Sequence, residues 1–401
     1  MSCAYLLFCF CYAGGGGLMI PNHISYSYHA VDYSMGFCTK FLPGALYNFI
    51  VGIYTKEALT VYLNILFAVS MVFIIFILEK FILMSPEEYR FECCIITVLF
   101  LTGPFTFSMF QKILCMLDYY WVILFALGYV LLRRKYLKFF VPVLLLAMIL
   151  VHYASMVCYV AALLLLMLFF AVNTTQKGER VSYIVLFLIC GFVSAGAALY
   201  FIAFEENNLV YSIEEFDKIM TSRGATYQEY YDYVLYRYVA PDTSVTFGIE
   251  TLEAPHTEGS FLKNVFYQIS TTIRVSNTHI LDNLIVNGSV YLLGAAFYAF
   301  AIRTFHRYFF SVGDKAKKAV TVLMGLLTAE VLAIGVLFST DKVRWLGHSI
   351  IIMLVFLMTV LAFDGRKLYE YIHGIFSRIS RELIVIFCTV YAFVYAYPYF
   401  Y

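Results

Sequence analysis

The sequence predicts an all-α, polytopic membrane protein with about eleven transmembrane helices. Three observations carry this. The chain is 62% hydrophobic and 13% charged, with a mean hydropathy of +0.82, whereas soluble domains are roughly 45–50% apolar and about 25% charged. Apolar runs close to the roughly 20 residues that cross a bilayer recur along it. Clusters of Lys and Arg separate alternate runs, as the positive-inside rule expects.

In order, the runs are 1–20, 59–83, 93–114, 117–132, 138–151, 156–171, 182–204, 285–302, 319–338, 348–363 and 383–401. The first begins "MSCAYLLFCFCYAGGGGLMI" and has no Lys or Arg before Lys40. A cleaved signal needs a positive start, so this segment is expected to be a short membrane helix. Its glycine run weakens it by about 1 kcal/mol per glycine against alanine. The runs 138–151 and 156–171 are short and joined by "LVHYAS", and together make one hairpin.

Direction follows from "RRKYLK" (Arg133 to Lys138), from Arg303 to Lys318 and from Arg366 to Arg381. An alternating path puts all three on the cytoplasmic side. It places the N-terminus inside and the C-terminus outside, in a plasma membrane. About 17 Lys/Arg then fall inside and about 10 outside. The expected organisation is an N-terminal transmembrane module, 1–204, with a first outer loop at 21–58. An extracytoplasmic loop follows at 205–284, then a C-terminal transmembrane module at 285–401. The long loop holds twelve Asp/Glu against five Lys/Arg and carries the tyrosine-rich "TYQEYYDYVLYRY". Such tyrosines suit either headgroup packing or sugar stacking.

A net charge of +1 gives no footprint for nucleic acid. The ten cysteines are scattered, mostly in apolar runs, where a thiol acts as a small hydrophobe. No Cys/His spacing suggests zinc.

Ionisable groups at a membrane face, next to apolar spans, are the candidate site. The outer face of the expected path carries Asp32, Lys112, Asp118, His152, His279, Asp282, Lys342, Arg344 and His348. Asp32 fits either a loop aspartate capping the next helix or a catalytic base. Asp118 fits either a plain helix cap or an ionic site shared with Lys112. His152 fits a satisfied buried histidine or a substrate contact, and Arg344 a headgroup anchor or a phosphate ligand. Glu330, mid-span, must pair, protonate or line a cavity. Sugar transfer from a polyprenyl phosphate needs a base for the acceptor hydroxyl and cations for the departing phosphate. Carboxylates (Asp32, Asp118) and cations (Lys342, Arg344) on one face would supply both.

The stretch "VDYSMGFCTKFLPGALYNFIVG" (Val31 to Gly52) resembles the first outer loop and amphipathic helix of the GT-C superfamily of polyprenyl-phosphate-sugar-dependent glycosyltransferases. "DYYWVILFALGYVLLRRK" (Asp118 to Lys135) resembles the acidic start of their fourth span. The likeness covers about the first 170 residues. It implies Asp32 as base, Asp118 as an acceptor or metal contact, and Arg344 as lipid-phosphate ligand. Where many relatives have an adjacent acidic pair in that loop, this chain has Asp32 alone. The chain is also similar to bacterial exopolysaccharide and O-antigen polymerases, for which Arg344, His348 and His152 would be central. A lipid-linked sugar transporter or flippase using Glu330 is a third reading, and it lacks the internal repeats such folds show. The implied partners are the bilayer, a polyprenyl-phosphate-linked sugar and a glycan acceptor. Two carboxylates are too few oxygen donors to establish a divalent metal, so the cofactor stays open.

Overall fold

The computed structural model describes residues 28–103, 117–204, 218, 221–223, 245–247, 250–252, 288–338, 342–364 and 366–396. These residues are helical almost throughout. One short antiparallel ribbon pairs Val245–Phe247 with Glu250–Leu252. In chain order the helices are α1 Phe41–Ile50, α2 Lys56–Met84, α3 Arg90–Thr102, α4 Asp118–Leu132, α5 Val141–Val151 and α6 Tyr159–Asn173. They continue with α7 Lys177–Phe204, α8 Gly288–Ser311, α9 Lys315–Phe338, α10 Lys342–Asp364, α11 Arg366–Phe376 and α12 Arg381–Ala396. Among the described residues six helices are long and apolar enough to cross a membrane: α2, α6 with the turn before it, α7, α8, α9 and α10; the expected run 1–20 lies outside those residues. Apart from that ribbon the described elements are all helical, the architecture of a polytopic membrane protein.

The helix ends follow local chemistry. Thr55 caps α2 by accepting the Ala58 amide at 3.3 Å, and Glu57 sits in the first turn, where the helix dipole favours an anion. The helix stops at Ser85, just before Pro86. Its 29 residues span about 44 Å at 1.5 Å each, more than the ~30 Å hydrocarbon core, so it must tilt or protrude. The short α5 and α6 are joined by a 3-10 turn, Tyr153–Val157, that starts at His152.

α10 is the centre of the bundle. Every residue from 343 to 361 is buried except Arg344, which is partly exposed. It packs on α8, α9 and α6, and touches α4 through side chains at two levels. His348 bonds Asp118, and the Thr359 hydroxyl donates to the Tyr129 hydroxyl at 3.3 Å. Both pairs are 230 residues apart in sequence, so α4 and α10 run parallel and in step. Tyr62 and Tyr120, whose hydroxyls lie 3.1 Å apart, bring the start of α2 to the same end. Outer helices keep apolar side chains exposed, among them Phe192 on α7 and Phe387 on α12, as lipid contact requires.

The first loop is pinned to this bundle. The Lys40 amide donates to the Leu150 carbonyl at 2.9 Å, with Lys40 in the left-handed region at φ 72°. α1 lies along it, burying Phe41, Pro43, Gly44 and Tyr47 while Phe49 and Ile50 stay exposed. Gly44 lies against the Val31 carbonyl so closely that any side-chain carbon there would collide with backbone.

The described helices differ from the expected spans in three ways. α10 begins at Lys342 rather than 348, so Lys342 and Arg344 stand in its first turns and not in a loop. α3 closes at Thr102, and the rest of the expected 93–114 run lies outside the described residues. The basic stretch from Arg366 includes a short helix, α11, strongly two-faced. Its Tyr369 stacks on Tyr89 at 5.6 Å, and its His373 bonds Glu92 at 2.6 Å.

A Gly44→Ala variant is expected to lose about 1–3 kcal/mol, the usual cost of overpacking. Gly325→Ala, mid-helix in α9 with open space around the glycine, is expected to melt at or somewhat above the parent, since alanine gains up to about 1 kcal/mol over glycine in a helix. Thermal unfolding of the two purified variants checks this, and equal midpoints would contradict the packing described.

Candidate functional site

Two polar clusters occupy the end of the bundle where α4 and α10 begin. The first is buried. Asp118 is the first residue of α4, whose cap position belongs to Leu117, so the plain capping role is not the one observed. Its Oδ1 instead lies 2.5 Å from His348 Nε2 and 3.6 Å from Arg344 Nε. The Tyr159 hydroxyl is 2.8 Å from His348 Nδ1. The neutral tautomer with the proton on Nε2 satisfies both contacts: His348 donates to Asp118, and Tyr159 donates to His348.

Three helices therefore supply one chain of contacts, Tyr159–His348–Asp118. Arg344 and His348 are four apart on α10 and so share a face. Asp118 is 2% exposed and His348 is fully buried, while the Arg344 side chain is 22% exposed. The guanidinium is thus the open edge of the cluster. Trp121 walls it, with its ring 6.0 Å from His348 and 5.9 Å from His152. The Trp121 indole donates to the Met148 carbonyl at 3.3 Å. His152 accepts the Ala154 amide on Nδ1 at 3.1 Å, so it starts the α5–α6 turn and borders the cluster through Trp121.

The second cluster surrounds Asp32. This residue caps the 3-10 turn Tyr33–Met35, not α1, whose own cap position is Lys40. Oδ1 accepts the Ser34 amide at 2.9 Å and the Ser34 hydroxyl at 2.5 Å. Oδ2 accepts from Asn48 at 3.0 Å and from Arg223 at 2.9 Å. Arg223 also donates to the Ala30 carbonyl at 2.9 Å and lies over the Tyr54 ring at 5.3 Å. Burial alone would raise the Asp32 pKa, but the Ser34 hydroxyl and amide and the Arg223 guanidinium outweigh it and hold it below the ordinary value. Burial pushes the Tyr54 hydroxyl up to about 12, so it stays a neutral wall.

The two clusters are neighbours. His29, three residues before Asp32, lies 2.9 Å from the Tyr120 hydroxyl through Nε2, and Tyr120 is two residues past Asp118. The structure thus groups Asp118, Arg344 and His348 directly, brings His152 to their edge, and sets Asp32 in the adjoining cluster. Lys342 opens α10 two residues before Arg344; its side chain, and all of Lys112, His279 and Asp282, lie outside the described residues. Glu330 stands on the exposed side of α9, apart from both clusters. Tyr159 and Arg223 were not foreseen. Nothing in an apolar run singles out one tyrosine, and Arg223 reaches Asp32 across 191 positions. Among the described residues no group of three or more His, Cys, Asp or Glu could hold a metal ion.

No protein-family model matches the chain, and comparisons with curated proteins and with solved structures give no match.

Breaking a buried ion pair from one side costs about 3–5 kcal/mol, so Asp118→Ala is expected to lower the thermal midpoint markedly. Asp118→Asn, which keeps the shape and an acceptor, should lose less. Denaturation of the two variants in one detergent checks the order. At Asp32 the pKa is depressed, so its contribution is complete above the unfolded carboxyl value of ~3.9 and is lost as pH falls through the folded value. Asp32→Asn should therefore be less stable than the parent at pH 7, by about 2 kcal/mol for a lost charged hydrogen bond. That gap should close on acidification below about pH 4, measured by melting curves across pH.

Proposed function

We propose that the chain is an integral membrane glycosyltransferase acting on a polyprenyl-phosphate-linked sugar, with Asp118 rather than Asp32 as its base. The observation that carries this reading is the buried Asp118 between His348 and Arg344. A carboxylate out of water is expensive and is a functional candidate by default.

In this reading the acceptor hydroxyl oxygen attacks the anomeric carbon of the donor sugar. The bond from that carbon to the phosphate oxygen breaks, and its electron pair leaves with the lipid phosphate. Asp118 takes the hydroxyl proton. Charge grows on the departing phosphate, and the guanidinium of Arg344, at the open edge, offsets it. Lys342, in the same helix start, is the second phosphate contact. His348 and Tyr159 orient the carboxylate, and Asp32 holds the first loop against the long loop through Arg223. The lipid tail lies in the bilayer beside the apolar helices. The eleven-span path, the GT-C-like arrangement and an outward-facing site in the plasma membrane belong to the same proposal. They rest on the spacing of apolar runs and on the basic clusters opposite the site.

The setting of His348 and Arg344 around Asp118 favours one variant of this reading, a polysaccharide polymerase whose acceptor is itself lipid-linked. The glycan acceptor tells the two apart. A polymerase extends a lipid-linked oligosaccharide into a ladder of repeat units, and a simple transferase adds one sugar.

Membranes given a polyprenyl-phosphate sugar and a glycan acceptor are the assay. Asp118→Asn is expected to fall by about 10²–10⁴-fold, the usual contribution of a general base. Asp32→Asn should keep transfer at temperatures where it stays folded. A correctly inserted Asp118→Asn protein with full transfer would sink the proposal.

A further inference from the structure

The opposite end of the bundle holds a separate cavity of about 400 Å³. It lies among the last turns of α2 and α4, the lower part of α10, and α11. Its position is set by helical spacing. Lys80 stands one turn before Met84 on α2, and Arg133 and Arg134 follow the last turn of α4. α4 is 15 residues long, so this end is about 22 Å from Asp118 at 1.5 Å per residue.

Lys80, Arg133 and Arg134 are all among its lining residues, and no Asp or Glu is. The remaining wall is apolar or aromatic, with Phe76, Met358 and Ala362 facing in. Phe76 and Met84 are exposed on the outer side of the bundle, so the wall continues onto the lipid-facing surface. Arg133 leans across the mouth, with Nη1 at 3.7 Å from the Met84 sulfur. Lys80 lies over the Phe76 ring at 5.5 Å. Carboxyl ends of helices favour cations on their own. That accounts for the charges and not for an apolar recess between them, open sideways to lipid.

We propose that this recess binds the headgroup of an anionic phospholipid. The three cations hold the phosphate, and the apolar wall takes the first methylenes of its chains. Basic pockets between transmembrane helices bind acidic headgroups in this way. The volume suits a headgroup with the start of its chains rather than a whole lipid. The inference stands apart from the glycosyl-transfer reading, since it uses no residue of the Asp118 cluster.

The test is native mass spectrometry of the full chain, stripped of lipid in detergent and mixed with phosphatidylglycerol or phosphatidylcholine. Discrete phosphatidylglycerol adducts are expected, with tenfold or greater loss in the K80Q/R133Q/R134Q protein and little binding of phosphatidylcholine. Ala362→Phe fills the recess while leaving the charges, and should also reduce the adducts. Ala362 is exposed, so this second variant does not depend on core repacking. Equal binding of the two lipids, adducts retained without the cations, or indifference to Ala362→Phe would each overturn the proposal. Displacement of the lipid by millimolar inorganic phosphate would reassign the site to a free phosphate ion and overturn the lipid assignment.

Discussion

The arrangement of the bundle depends on one constraint: the Asp118 carboxylate has been taken out of water and must be answered there. Its partners come from α10, and the next contact in line comes from α6. The pairing is worth keeping only if three helices meet at one height. The parallel step of α4 and α10, repeated at Tyr129 and Thr359, is the packing expression of the same requirement.

α10 is one of the elements through which the two halves of the chain meet, beside α9 against α6 and α12 against α3. His348 faces the N-terminal helices through Asp118 and Tyr159. Its neighbour Ser349 bonds Tyr298 of α8 and donates to the Thr328 carbonyl of α9 at 2.7 Å. Adjacent residues on a helix point about 100° apart, so one dipeptide serves both sides. That geometry explains why nearly all of α10 is buried, whereas α7, which borders lipid, leaves much of its surface exposed.

Much of this could be read from composition and periodicity, and the unread part has a common cause. The apolar runs located α2, α5, α6 and α9 to within a few residues, because hydrophobic length is a local property. The start of α10 was placed too late, since Lys342 and Arg344 look like loop residues to any hydropathy window. Their helical setting comes from packing against α9, where Gly335 lets Trp345 approach closely. The candidate Asp118 was visible as a charge at the edge of an apolar run. Its partners Arg344 and His348 were visible too, as ionisable groups leading into the tenth apolar run, but nothing local joined 118 to 348. Asp32 stood out for the same reason as Asp118, and its tie to Arg223 was hidden by the same kind of separation. In a membrane chain, polar contacts are few and long-range, and those are what periodicity does not carry.

The separation of Asp118 and His348 also has a consequence in time. A ribosome adding about 5–20 residues per second needs roughly 10–45 s to cover the 230 positions between them. For that interval the N-terminal helices are made and the histidine that answers their carboxylate is not. Until α10 is made, the carboxylate at the head of α4 lacks the His348 and Arg344 contacts that answer it in the finished fold.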